Sequence, residues 1–518
     1  LVGGLHVMII QKKNSQALLA SFILCIVSFI LVLYSTFLTR SGILGDTSVH
    51  AFTDLGMSGQ LVIYMAFFAV MAIWLMIKNR KKIPKTHQED SMTSREFWMF
   101  IGMLVLVVSA TQITFSTSIP VFNKLFGTSM APPEKPVEFY NAWQIPIAVV
   151  ICILVAIGQF FKFKESDMKQ VTKRLSVSLI ISVVISAASA YYLRFHSVHY
   201  IALLFASVFA IAANADYFLR FKKGNFSRSG ASIAHIGIGL ILLGALISNA
   251  NSKMISQNRL NIDLGEDFPN NENIMLVKND TLKMADYFVT YSGKKREGVN
   301  IYYEIDYLKE NERGELEKKF TLKPIVQLNE RMGNVAEPAT RHFFNMDIYT
   351  HITYADLESE LKEDADTNYF DAKEFKVKIG DTLSASNSII TLKGIEKQAD
   401  IEKYSLLPTD LAVIAHLEIT DANRKIYHAT PLFIIRNNIA FTKESTVNEL
   451  GLKTGFTKID PEREEFTLTI AERKSNKKEF IIMKAIIFPQ INILWTGCVL
   501  LIVGSLISIR KRIKSGKQ

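Results

Sequence analysis

The sequence predicts a polytopic α-helical membrane protein, with about eight spans plus a truncated first helix, that carries a mainly β domain outside the membrane. Three observations predict it. Hydrophobic residues make up 49% of the 518 residues and mean hydropathy is +0.19, more apolar than a water-soluble chain of this size. Eight apolar runs approach the roughly 20 residues a helix needs to cross a bilayer. Between the seventh and eighth lies a long stretch in which apolar and polar residues alternate, the period of half-buried strands.

The chain opens on "LVGGLHVMII", an apolar run of ten that is too short to span and ends at Gln11-Lys12-Lys13. It reads as the cytoplasmic end of a helix that begins upstream, and the chain therefore as the C-terminal portion of a longer protein. The spans follow at 17–38, 58–77, 97–116, 145–161, 175–193, 199–218, 229–248 and 488–509. Cytoplasmic loops hold the excess of Lys and Arg. The connections 11–16, 78–95, 162–174, 219–228 and 510–518 contain 22 of them, whereas 39–57, 117–144 and 194–198 contain only 4. The alternation is unbroken over eight crossings, so the formal charge of +10 reflects topology and implies no nucleic acid. The organisation expected is a membrane domain over 1–248, a β-rich domain over 249–487 on the outer side, and a final helix with a basic tail over 488–518.

Strands in 249–487 are expected at "IYYEIDYL", "FKVKIG", "LAVIAHLEI" and "FTLTIAE", with a break between two β units near the acidic stretch 356–371. Cys25, Cys152 and Cys498 lie in apolar runs without a CxxC and read as small buried hydrophobes. No Walker loop or GxGxxG gives nucleotide chemistry a seat.

Histidine is the chemically informative residue. His6 stands six residues before Lys12 and His235 seven after Arg228, which puts both roughly 10 Å inside the cytoplasmic boundary at about 1.5 Å of rise per residue. His50 lies on the outer side, ten residues beyond Arg40. A polar residue within a span is costly and is a functional hypothesis by default. Each histidine alone could donate to a carbonyl on a neighbouring helix. Two at one depth, beside Gly3, Gly4, Ala234, Gly237 and Gly239 that would let a flat ligand approach the backbone, favour a metal-centred cofactor. A bis-histidine heme site between helices meets that description. A zinc or iron ion would want further Cys, His or carboxylate ligands, which these spans lack.

These residues resemble a known family, the CcmF-type heme lyases of cytochrome c maturation. The matching pieces are "LHV" before a basic turn, "STFLTRSGILGDTSVHAF", "SREFW", "RSGASIAHIGIGLILLGALIS", "LKPIVQLNERMGNVAEPATRHFFNMDIYTHI" and "IIFPQINILWTGCVLLIVG". They run from one end of the chain to the other in the family's order, and the arginine-to-histidine motif is the most specific. The resemblance implies that His50 is an axial ligand of the heme being delivered and that His6 and His235 hold a resident heme b. It implies thioether formation between heme vinyl groups and the two thiols of a CxxCH motif in apocytochrome c, with reduced heme iron. The partners it implies are apocytochrome c, a heme chaperone and other maturation subunits, in a bacterial cytoplasmic membrane with the large domain on the periplasmic side. The family's tryptophan-rich loop and second outer histidine have no counterpart here; Trp74, Trp98, Trp143 and Trp495 are never adjacent, and the missing parts are expected upstream of residue 1. The outer domain is longer than the family's usual one, and "GDT" adds length before His50.

Arg40 at the outer boundary could pair with a heme propionate or snorkel to lipid headgroups. His196 and His199 read as interfacial, and His342, His351, His416 and His428 as ordinary residues of the outer domain. Two other classes compete. A membrane b-type cytochrome that only relays electrons would make His50 dispensable. A transporter with a large outer domain should show inverted repeats and broken helices at mid-membrane, and no such pairing is seen.

Overall fold

The computed structural model describes residues 1–11, 17–44, 56–83, 91–258, 264–265, 268–329, 334–355, 357, 369–370, 372–385, 388–397, 404, 406–407, 410–421, 425–436, 439–461, 463–473 and 479–515. The helices are α1 (Val2–Gln11), α2 (Ala17–Arg40), α3 (Ser58–Asn79), α4 (Arg95–Thr117), α5 (Ile119–Phe126), α6 (Pro136–Ile157), α7 (Met168–Tyr192), α8 (Val198–Asp216), α9 (Gly230–Ala250) and α10 (Asn492–Ser515). Eight of them, all but α1 and α5, are long and apolar enough to cross a membrane, and they fall on the eight apolar runs. The protein is thus a multi-pass helical membrane protein with a large β region outside the membrane.

Local chemistry sets several helix starts. Ser94 caps α4 by accepting the N–H of Phe97 at 3.1 Å, Asp167 caps α7 by accepting the N–H of Lys169 at 3.0 Å, and Pro136 opens α6, each at a position where a donor would otherwise lack a partner. The short α5 falls inside a connection that shows no long apolar run, and eight residues are too few for periodicity to reveal.

The chain forms two compact units: one of Leu1–Met275, Thr281–Thr353 and Ile482–Gln518, the other of Leu276–Asp280 and Tyr354–Ile481. In the first, α9 and α10 meet backbone to backbone. A Cβ on Gly237 would lie 2.6 Å from the carbonyl oxygen of Gly497, and one on Gly504 would lie 2.6 Å from that of Gly230. Gly230, Gly237 and Gly244 recur at seven-residue spacing and so share one stripe of α9, the small-residue seam by which membrane helices approach closely. Gly239 packs on Ile211 and Ser207 of α8, Gly3 on Met103 and Gly4 on Leu24. This corrects one expectation in part: Gly237 and Gly239 do not make room for a flat ligand but bring helices together, whereas Gly3 and Gly4 line a cavity of 630 Å³ beside α2 and α4.

The same unit carries two antiparallel sheets. One joins Phe480–Pro489 to Met346–Ala355 and continues to Ala339–His342; the other is centred on the hairpin Tyr287–Glu297 and Asn300–Glu310. "IYYEIDYL" is a strand as expected, with Ile301, Tyr303, Ile305 and Tyr307 fully buried on one face. The Tyr307 hydroxyl meets Thr350 Oγ1 at 2.5 Å. In the second unit, a four-stranded sheet (Lys373–Val377, Ser445–Val447, Leu452–Asp460, Glu465–Glu472) and a six-stranded one built on Leu411–Asp421 share a core that includes Ile390, Leu417, Ile419, Phe456 and Leu468. Asp410, its side chain fully buried, receives Nε and Nη2 of Arg436 at 2.7 Å each. That bidentate pair holds the Asp410 carboxyl down to about 2.

Candidate functional site

His6 on α1 and His235 on α9 lie far apart in the chain, and the first unit brings them face to face. Their ring centroids are 6.4 Å apart and their planes differ by 9°. Both rings are anchored through Nδ1. Nδ1 of His6 meets the carbonyl oxygen of Val2, one turn back, at 2.9 Å. A carbonyl only accepts, so Nδ1 donates and Nε2 keeps its lone pair.

The His235 anchor is a network of amides. Gln159, in the turn that ends α6, places its Nε2 3.0 Å from Nδ1 of His235 and 2.5 Å from Oδ1 of Asn214, while Ser232 Oγ donates to Gln159 Oε1 at 2.8 Å. Asn214 Nδ2 donates to the carbonyls of Val155 and Ala210, which fixes Oδ1 toward Gln159 and makes the facing Gln159 atom the donor. Nδ1 of His235 therefore accepts, and Nε2 is the remaining nitrogen on both rings.

The two rings border a cavity of 370 Å³ in unit 1 that is also lined by Arg95, Trp98, Gln159 and Arg512, within the size range of small-molecule sites. On α9 the lining residues Ala231, His235 and Ile238 follow i, i+4, i+7 spacing, a different stripe from the glycine seam. Nε of Arg95 and Nε1 of Trp98 are buried without a hydrogen-bond partner among the described residues.

The donor set fits a metal-centred planar cofactor in spacing. An imidazole nitrogen binds a metal at about 2 Å, so two rings that turn their nitrogens toward one ion have centroids roughly 6 Å apart; the observed separation matches, and the stacked rings must turn their edges toward each other to use it. Hydrogen bonding fits His6 as it stands, since a ligating imidazole donates its other N–H to a carbonyl. For His235 as it is hydrogen-bonded, Nε2 carries the proton; ligation through Nε2 calls for the proton on Nδ1 and for Gln159 to present its oxygen there, which obliges the Asn214 amide to turn as well and give up its bonds to the carbonyls of Val155 and Ala210. Among the described residues no group of three or more His, Cys, Asp or Glu could hold a metal ion, so a site with several such ligands has no counterpart there.

His50 lies outside the described residues. Arg40 is the exposed last residue of α2, a helix of 24 residues. In the β region, His342 meets Asp347 at 2.8 Å and His416 meets Glu396 at 2.9 Å, ordinary histidine–carboxylate pairs. Gln159 and Asn214 carry no mark in the sequence reading, and Arg95 and Trp98 stand in "SREFW" without a role assigned to either. The available signal was an amide inside each of two apolar stretches, "VAIGQFF" and "AIAANADYF", which a cost argument for polar groups in spans would have flagged.

No protein-family model matches the chain. It is similar to three bacterial proteins described as cytochrome c-type biogenesis protein CcmF. The one from Pseudomonas fluorescens is 28% identical over 310 residues, covering 57% of this chain and 43% of its own. That from Pseudomonas aeruginosa is 26% identical over 310 residues, covering 57% and 44%, and that from Escherichia coli K12 is 22% identical over 249 residues, covering 47% and 38%. A solved structure, the cytochrome c heme lyase CcmF, aligns over 98% of this chain and 57% of its own with a TM-score of 0.47 and 12% identity. The matches thus span less than half the length of the curated relatives, and what this chain is similar to is a set of cytochrome c biogenesis proteins.

Proposed function

We propose that this chain is the heme-holding portion of a CcmF-type heme lyase, acting in cytochrome c maturation in a bacterial cytoplasmic membrane with its β region on the periplasmic side. The similarity to cytochrome c biogenesis proteins supports a heme-handling role. The observation that carries the finer reading is the facing pair His6 and His235, 6.4 Å apart on a shared cavity. Through Nε2 these two residues would hold a heme b, which when bound supplies a one-electron carrier between the membrane and the outer side. Val2 and the Gln159 amide orient the two rings, and the surrounding helices exclude water.

The heme in transit is substrate. His50 would be its axial ligand on the outer side, with Arg40 near a propionate. Each thiol of the CxxCH motif of apocytochrome c adds across one vinyl group: sulfur bonds one vinyl carbon, hydrogen goes to the other, and no electrons are gained or lost, provided the iron is kept reduced. A heme chaperone and other maturation subunits are the remaining partners. Residues 249–487 would serve as the outer docking domain.

Reduced-minus-oxidised spectra of the purified full-length protein test the pair. His6→Ala and His235→Ala should each abolish the low-spin spectrum, and the double variant should be no worse, because both act on one iron. An unchanged spectrum in His235→Ala would sink the pairing. His50→Ala should leave that spectrum intact while covalent cytochrome c disappears from cells; normal cytochrome c would remove His50 from the reaction.

A further inference from the structure

The inner cavity contains more unanswered hydrogen-bond donors than a bis-imidazole site needs. Nε of Arg95 and Nε1 of Trp98 are both buried, both without a partner among the described residues, and both groups line the cavity shared by His6 and His235. A buried donor without an acceptor costs about 1–3 kcal/mol, more when charged, so two in one cavity mark a place where an acceptor belongs. The neighbouring carboxylate does not fill that place. Glu96 is itself buried and accepts the backbone N–H of Lys164 at 3.0 and 3.3 Å on its two oxygens, leaving the Arg95 guanidinium against the face of Phe163 at 5.4 Å. Trp98 is held in place by stacking on Phe161 at 5.8 Å. A second guanidinium, Arg512 of α10, lines the same cavity.

From this arrangement we infer that Arg95 and Trp98, with Arg512, form a carboxylate-binding subsite that receives the acidic side chains of the planar ligand clamped by His6 and His235. The inference rests on the heme reading above and adds to it which end of the ligand enters where. Arg95 is the first residue of α4, at the end of the bundle that carries the basic connections, so the propionates point to the basic side. Leu106, Ile151 and Leu154, which also line the cavity, would take the apolar edge of the ligand. Guanidinium and indole N–H groups both only donate, and the guanidinium charge favours an anionic acceptor over a neutral one, which gives the site a preferred ligand orientation.

The test compares two probes on the heme-depleted full chain in detergent: hemin, and hemin whose two propionates are methyl esters. A hydrogen bond to a charged group contributes enough for a roughly tenfold to hundredfold preference, so the unmodified chain should retain hemin that much more tightly than the diester, with a low-spin spectrum for both. Arg95→Gln should erase the preference by weakening hemin alone, Arg95→Lys should restore part of it, and Trp98→Phe should reduce it severalfold. Equal retention of the two probes by the unmodified chain overturns the subsite while leaving the histidine pair intact, and so does undiminished preference in Arg95→Gln. If neither probe gives a low-spin spectrum, the heme reading fails and the subsite fails with it.

Discussion

Adding a single methyl group at Gly237 tests the seam that fixes α9, and with it His235. A Cβ there would lie 2.6 Å from both the carbonyl oxygen of Gly497 and the amide nitrogen of Leu501, whereas ordinary contact begins at 3.4 Å. Both neighbours are backbone atoms of α10, which no rotamer change can move, so Gly237→Ala must push α10 back by about 0.8 Å, enough to forfeit a quarter to a half of the dispersion well at each close contact. Overpacking of this kind costs roughly 1–3 kcal/mol. Two other glycines calibrate the effect. At Gly239 a Cβ would meet Cγ1 of Ile211 at 2.7 Å and the carbonyl oxygen of Ser207 at 3.1 Å, one short contact to a stiff β-branched side chain and one milder backbone contact, and at Gly59 nothing lies within 4 Å, so Ala at Gly59 should be neutral or stabilising by up to about 1 kcal/mol. Thermal unfolding in detergent should rank Gly59→Ala as most stable, Gly239→Ala next and Gly237→Ala last. Gly237→Ala melting with Gly59→Ala would refute the backbone-to-backbone seam.

Gln159→Leu removes three hydrogen bonds, to Asn214, His235 and Ser232, and at about 0.6 kcal/mol on average and up to about 1.7 for each such bond in a membrane it should cost roughly 2–5 kcal/mol. The same change at Gln144, which meets Ser109 and Gln112, should cost less and leave the heme spectrum untouched; equal spectra in both variants would detach Gln159 from His235. The Asp410–Arg436 pair predicts a pH dependence with a definite sign. The Asp410 carboxyl is held down to about 2, below the unfolded value of about 3.9, so its contribution is complete above that unfolded value and is lost as pH falls toward 2. Hydrogen exchange at Leu432–Arg436 in the full chain should therefore be flat from neutral pH to about 4, after correction for the intrinsic exchange rate, and accelerate below it. Acceleration that begins near pH 6 would contradict the pair.

The elements were legible wherever their signal is local. An apolar run of about 20 residues has one stable solution in a bilayer, and α2, α4 and α9 fall where their runs lie. The alternation of "IYYEIDYL" needs only the two-residue period of a strand to put Tyr303 and Tyr307 on one face. The short α5 escaped because eight residues, just over two turns, leave too little pattern. That His6 and His235 belong together was also legible, since Lys12 and Arg228 stand at similar distances from them along the chain, and their rings do meet.

What the sequence could not determine is the direction each side chain faces, because that depends on helix rotation, and rotation is set by packing partners remote in the chain. Successive residues turn about 100° around a helix, so His235, two residues before Gly237, lies on the side away from the glycine seam. Once Gly237 is pressed on Gly497 of α10, more than 250 residues later in the chain, His235 is turned toward α1 and Gln159. The same packing changed the meaning of Gly237 and Gly239, which read as space for a ligand in one dimension and serve as contact surface in three. It also brought Arg95 and Trp98 to the cavity, two residues whose neighbours in sequence say nothing of His6. Composition and period determined which segments are long and apolar enough to cross the membrane and which of them carry polar groups; only the close approach of distant backbones decided which of those groups meet.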